Sequence, residues 1–206
     1  MYLPLFPLKL VAFPDEALNL HIFEPRYQQM LADVETLGTT FGVCVFTDKL
    51  TGYGTEVSLE EVYHRYEDGR LDIKTRGKKF FQIKSFDNPA PGKLYAGGEV
   101  EFIPLDFSTH EQKQKEYAFY LKEMLFLLNH PVEIEPMLVN SFSFSHKVGL
   151  KLEEELELML LPTEIERLDY LIKYFKRMIP AFKAAESAKE KIKLNGHFKH
   201  LDPLNF

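Results

Sequence analysis

The chain has 206 residues, 45% of them hydrophobic and 27% charged, with 11 glycines and 12 prolines; at roughly 100–200 residues per domain this allows one domain or two intimate subdomains and excludes a multi-domain machine, a fibrous repeat or a disordered chain. The longest apolar run, Met124 to Leu128, is far shorter than the ~20 residues that cross a bilayer, so no transmembrane helix is expected. A net charge of −6 disfavours phosphate backbones and anionic lipid as partners, which makes nucleic acid and membrane surfaces unfavoured classes.

Up to about Asp106 the chain reads as strands and turns, because apolar alternation is broken about every 8–12 residues by Gly, Pro, Asn or Asp. That rhythm predicts a barrel or sandwich. One helix interrupts it: Pro25 suits a first helical position, Tyr27, Met30, Leu31 and Val34 follow at helical spacing, and Gly38 stops the run. Phe41 to Phe46 is a continuous apolar stretch, the pattern of a fully buried central strand. Asp68-Gly69 has the composition of a two-residue hairpin turn leading into Leu71–Thr75, which alternates apolar and charged residues. Arg76-Gly77-Lys78 is then expected to turn the chain into Phe80-Phe81-Gln82-Ile83, giving a three-strand meander with Phe80 on an exposed face. Leu94 to Phe102 completes the strands.

After Phe107 the apolar period changes to 3.6. Ser108 and Glu111 have capping-box spacing before the stripe Tyr117, Tyr120, Leu121, Met124, Leu125 and Leu128, which ends near Asn129 ahead of Pro131. Short helices are expected around Asn140–Gly149 and Leu152–Leu160. A second capping box, Thr163 and Glu166, opens a helix carrying Leu168, Leu171, Ile172, Phe175, Met178 and Ile179; Pro180 is expected to kink it or begin a separate helix reaching Asn195-Gly196. The expected fold is therefore α+β, with a β-rich subdomain over residues 1–107 and a helical bundle over 108–206.

Charge is uneven along this plan, at −5 over residues 1–107 and −1 over 108–206, with eight Lys/Arg and three Asp/Glu between Lys173 and Asp202. Met1–Pro14 is apolar but contains three prolines and no basic leader, so a signal peptide is not expected. Cys44 is the sole cysteine, which rules out an intramolecular disulfide and makes a cytoplasmic location the expectation.

Motifs of catalysis are missing from the sequence. It contains no G-x-x-x-x-G-K-[ST] phosphate loop, no G-x-S-x-G nucleophile elbow, no H-E-x-x-H zinc helix and no paired C-x-x-C. A Ser-Lys or Ser-His pair assembled from distant residues would leave no such signature. His197 and His200 form the only close histidine pair, and two ligands without a third do not define a metal site. His21 and His146 read as hydrogen-bonded structural residues, and Cys44 as inert core. Lys74, Arg76, Lys78 and Lys79 crowd one hairpin beside Phe80, a pattern that fits either a single-strand nucleic-acid surface or lysines guarding a sheet edge.

The first hundred residues resemble the amino-terminal substrate-binding domain of the Lon protease family. The resemblance is carried by Leu3-Pro4-Leu5-Phe6-Pro7-Leu8, by Val11-Ala12-Phe13-Pro14 and above all by the string from Leu18 to Tyr27, which contains Phe23-Glu24-Pro25-Arg26-Tyr27. Phe41-Gly42-Val43, Asp68-Gly69-Arg70-Leu71, Arg76-Gly77 and Glu99-Val100 fall where the family has later strands. Leu160-Leu161 and Glu166-Arg167-Leu168 extend the likeness into the helical half. Asp15 stands where the family usually has glycine, and Phe80 where it usually has arginine.

The resemblance implies a PUA-like pseudo-barrel packed on a helical bundle, used to recognise unfolded or tagged polypeptides in concert with a separate ATPase or protease. The family's own ATPase and Ser-Lys protease modules have no counterpart in this sequence, so it looks like a stand-alone amino-terminal domain without catalytic residues, metal or cofactor. Glu24, Arg26 and Tyr27, from the family signature, are the candidate binding residues. Glu24 can set negative charge at a helix start and Arg26 offers a planar fork, while the same motif can serve only to hold helix on barrel. The expected function is a non-enzymatic polypeptide-binding module; the alternative is an RNA-binding PUA-like module using Lys74, Arg76, Lys78 and Lys79, and a third reading is an unrecognised hydrolase.

Overall fold

In the computed structural model, which describes residues 1–197 and the side chains of residues 1–192, six strands form one sheet that closes on itself. The strands are β1 (Tyr2–Leu8), β2 (Ala17–Ile22), β3 (Phe41–Phe46), β4 (Leu50–Arg65), β5 (Leu71–Ile83) and β6 (Ala96–Phe102). They lie in the order β2-β5-β4-β3-β1-β6, and a further pairing of β5 with β6 completes the ring. The parallel pair β1 and β3 needs a crossover, and that connection contains α1 (Pro25–Leu37).

The first helix forms as its sequence dictates. Tyr27, Met30, Leu31 and Val34 are its buried residues, and Gly38 ends it in the left-handed conformation at φ 62°. This stripe packs with Phe6, Ile22, Val57 and Ile73 to make one core. Phe41 to Val45 of β3 are buried throughout, as a strand flanked on both sides requires. Cys44 lies among them, and burial pushes its thiol up to about 12, the condition of an inert side chain.

Two turns differ from expectation. The β4–β5 loop is Glu67-Asp68-Gly69, in which the Gly69 amide donates to the Tyr66 carbonyl and only Gly69 takes a positive φ, 88°. A three-residue loop with one left-handed glycine is a common alternative to the two-residue hairpin turn. At Arg76-Gly77-Lys78 no turn occurs and β5 runs straight on, so the region is one long hairpin rather than a three-strand meander.

Three helices follow: α2 (Glu111–Leu127), α3 (Leu152–Leu160) and α4 (Glu164–His197). Ser108 does not cap α2. Its amide is taken by the Asp106 carboxylate, and His110 caps instead, its Nδ1 accepting from the Lys113 amide. Asn140–Gly149 is a run of turns with a single 3-10 turn at Ser145–Lys147, because Asn140 and Ser143 side chains bind nearby main chain and compete with a helix. The Thr163–Glu166 capping box is present in full. Pro180 neither ends nor splits α4; it is exposed, so the helix carbonyl it leaves without an amide faces water. The side chains of His197 and His200 lie outside the described residues.

The largest core joins strands to helices: Val11, Phe13, Val45 and Phe80 pack in one cluster with Tyr117, Leu121, Leu158, Leu168 and Phe175. Two polar devices tie the same seam. Arg167, fully buried, donates to the carbonyls of Leu161 at 2.8 Å and Asp106 at 2.6 Å and pairs with Glu164 at 2.9 Å, while Ser141 satisfies both charges. Its guanidinium packs beside the mutually perpendicular rings of Phe107 and Phe142, 5.0 and 4.9 Å from their centroids. His146 bridges Glu155 of α3 at 2.7 Å and Glu16, just before β2, at 3.1 Å. Burial alone would push this imidazole down; the hydrogen bonds and charges of the two carboxylates outweigh it and hold its pKa at about 10.

Removing one member of a buried ion pair leaves the other charge uncompensated, at a cost of about 3–5 kcal/mol. Arg167→Met is expected to lower unfolding free energy by that order in urea titrations, and adding Glu164→Gln to recover part of it. Because the folded pKa of His146 lies above its ordinary 6.5, its contribution to stability is complete below pH 6.5 and lost as pH rises towards 10. His146→Gln should abolish this component of the stability–pH curve, with little change in slope elsewhere.

Candidate functional site

β5 changes partner halfway along. Leu71–Arg76 pair with β2, and Phe81–Ile83 pair with β6. On its other side Gly77 stands opposite Val57 and Phe80 opposite Thr55, so β5 carries one more residue than β4 across this interval. The extra residue is a bulge, which breaks the alternation of faces. Lys78 and Lys79 are consequently both exposed and Phe80 is buried, 2% exposed, contrary to its expected exposed position.

At the same point the Phe13–Glu16 segment crosses β5. The Gly77 carbonyl accepts from the Asp15 amide and the Gly77 amide donates to the Glu16 carbonyl. A Cβ at residue 77 would lie 2.0 Å from the Phe13 carbonyl oxygen, so the crossing demands glycine. Asp15 takes φ 61°, the left-handed region that favours glycine, at the position where the family resemblance places one.

The chain leaving β6 forms the opposite wall. The Ile103 amide donates to the Phe80 carbonyl, the Asp106 amide to the Pro162 carbonyl, and Arg167 holds the Asp106 carbonyl. Between this wall and β5 lies an open groove of about 380 Å³, lined by Pro14, Phe80, Phe102, Ile103, Pro104, Leu105 and Phe107, with Lys78 and Lys79 on its rim. Lys79 Nζ stands 5.3 Å from the centroid of the Phe102 ring.

The sequence-predicted binding residues do not converge there. Tyr27 is 5% exposed with its ring 4.0 Å from that of Phe6, so its side chain packs in the core and away from the groove. Glu24 and Arg26 neutralise each other at 2.7 Å, the guanidinium lying 4.6 Å from the Tyr27 ring centroid, and the Glu24 side chain makes no cap hydrogen bond. The basic cluster divides in two. Lys74 lies 3.7 Å from Glu60, and Arg76 pairs with Glu60 and donates to the Asp15 carbonyl at 2.8 Å. Lys78 and Lys79 have no ion-pair partner among the described residues. The wall from Phe102 to Phe107 was not singled out from sequence; its signal is an apolar run containing Pro104 that continues past the last strand without starting a helix.

His21 lies opposite Asp72 in the β2–β5 register and contacts it at 2.5 Å, with the Tyr66 hydroxyl on the other carboxylate oxygen. This is a cross-strand tie. Among the described residues no group of three or more His, Cys, Asp or Glu could hold a metal ion, and no helix is long and apolar enough to cross a membrane.

A closed β-barrel followed by a helical bundle is a fold this chain shares with solved Lon amino-terminal domains. The Lon N-terminal domain protein from Xanthomonas campestris superimposes with a TM-score of 0.67 at 26% identity, over 84% of this chain and 98% of that one. The N-terminal domain of the Mycobacterium avium complex Lon protease shares the fold, with a TM-score of 0.62 at 15% identity over 85% of this chain and 98% of that one. Residues 2–194 match the family described as the ATP-dependent protease La (LON) substrate-binding domain, and the chain belongs to that family.

Because Gly77 seats the crossing strand against the groove, Gly77→Ala is expected to destabilise by about 1–3 kcal/mol, the usual cost of forcing a backbone shift in a packed site. Thermal unfolding checks it, with a lower Tm expected for Gly77→Ala than for the parent.

Proposed function

We propose that this Lon-type substrate-binding domain acts without catalysis of its own, receiving unfolded or tagged polypeptides in the groove between β5 and the Phe102–Phe107 wall. The observation that carries the reading is the groove itself, an open and mainly apolar seat held by rigid partners on both sides. In this reading residues 1–107 supply the floor and all of the lining, Arg167 of the helical subdomain fixes the far wall, and cargo passes to a separate ATPase or protease in the cytoplasm. The barrel places the apolar side chains before a client arrives, so little ordering opposes binding.

An RNA-binding role through Lys74, Arg76, Lys78 and Lys79 is less well supported. The first two both lie against Glu60, and the chain is acidic overall. Phosphate contacts made by two lysines give only a weak sequence-independent affinity.

Calorimetric titration with a neutral, leucine- and phenylalanine-rich peptide is expected to show a negative heat-capacity change and little salt dependence. Leu105→Asp should weaken that binding about tenfold or more, the order expected for losing one buried aliphatic contact. Steeply salt-dependent binding of single-stranded oligouridylate, with no peptide binding, would favour the RNA reading instead.

A further inference from the structure

The rim of the groove differs in charge from the molecule around it. The chain carries −6 overall, and its other two β5 cations share the Glu60 carboxylate, yet Lys78 and Lys79 stand side by side without an ion-pair partner among the described residues. The bulge makes this possible: in a regular strand adjacent side chains point to opposite faces, and here both are exposed while Phe80 turns inward. Lys79 is also poised over the Phe102 ring, so its ammonium sits at the lip of the apolar lining.

We propose that the groove selects polypeptide segments in which apolar residues are accompanied by a carboxylate. An apolar side chain would enter beside Phe102 and Leu105, and a carboxylate would meet the ammonium groups of Lys78 and Lys79. The proposal rests on the polypeptide-binding reading and adds a charge preference to it. The carboxylate can belong to an Asp or Glu side chain or to a chain terminus; both offer the same anionic oxygens. A carboxylate-bearing peptide fits better than RNA because one side of the contact is apolar lining and only two cations are available, whereas backbone recognition of nucleic acid draws on a longer run of unpaired cations.

The test uses fluorescent peptides with one Leu-Phe-Leu centre, amidated at the C-terminus and flanked by Glu, Gln or Lys, together with the Gln-flanked peptide bearing a free C-terminal carboxylate. Two exposed ammonium groups acting on a carboxylate predict about fivefold tighter binding of the Glu-flanked than the Gln-flanked peptide at low salt, and weaker binding of the Lys-flanked one. In K78Q/K79Q this ranking should collapse, with Tm unchanged. Preference for the free carboxylate over its amide, lost in K78Q/K79Q, would support the proposal and assign the anion to a chain terminus. Equal affinities for all flanks, with loss of binding in Leu105→Asp, would overturn the charge preference and leave the groove reading standing. Binding by none of the peptides would overturn both. Oligouridylate bound through Lys78 and Lys79, with peptides ranked alike, would overturn the proposal in favour of phosphate.

Discussion

Arg167 has no exposure to water, and a guanidinium cannot shed its charge on burial, so every surrounding group is constrained to satisfy it. Glu164 and Ser141 answer it, two main-chain carbonyls accept from it, and the perpendicular rings of Phe107 and Phe142 pack beside it. One of those carbonyls, that of Asp106, belongs to the segment leaving the barrel, and one of the rings is Phe107 in the same segment. The buried charge therefore fixes where the chain passes from sheet to bundle. That passage is the groove's far wall, so the site's width is set by an ion pair outside its lining.

The near wall has a different origin. β5 serves two neighbours in succession, and the extra residue at Lys78–Lys79 lies between the two pairings. A bulge at such a place re-aims side chains, turning Phe80 into the shared core and leaving two cations outside. The Phe13–Glu16 segment fills the gap between β2 and β6, which is why a glycine without a side chain stands at 77. Glu16, in that segment, reaches His146 and so ties it to α3 through Glu155. Groove and structural seam are thus built from the same few residues.

The family signature from Phe23 to Tyr27 takes on a structural meaning in this setting. Pro25 starts α1, Tyr27 fills the core against Phe6, and Glu24 and Arg26 form an ion pair over its ring. These contacts give the motif a structural role in seating α1 on the barrel. The groove's chemistry comes from residues that carry no recognisable motif, as expected where a common scaffold holds a surface made by loops and strand ends.

The change of apolar period near residue 107 was enough to place strands before helices. α1, β3, α3 and the Thr163 capping box were legible as well, because their signals lie within a few residues of the structure they specify. Asp68-Gly69 was legible as a turn but not in its length. The straight passage of β5 through Gly77, the burial of Phe80 and the choice of His110 over Ser108 as cap were decided by neighbours far along the chain or by a competing local acceptor, Asp106. The groove was not legible at all. Pro14, Lys78 and Leu105 meet only when the sheet closes and Arg167 draws the exit segment down, and no local periodicity records contacts made across such separations.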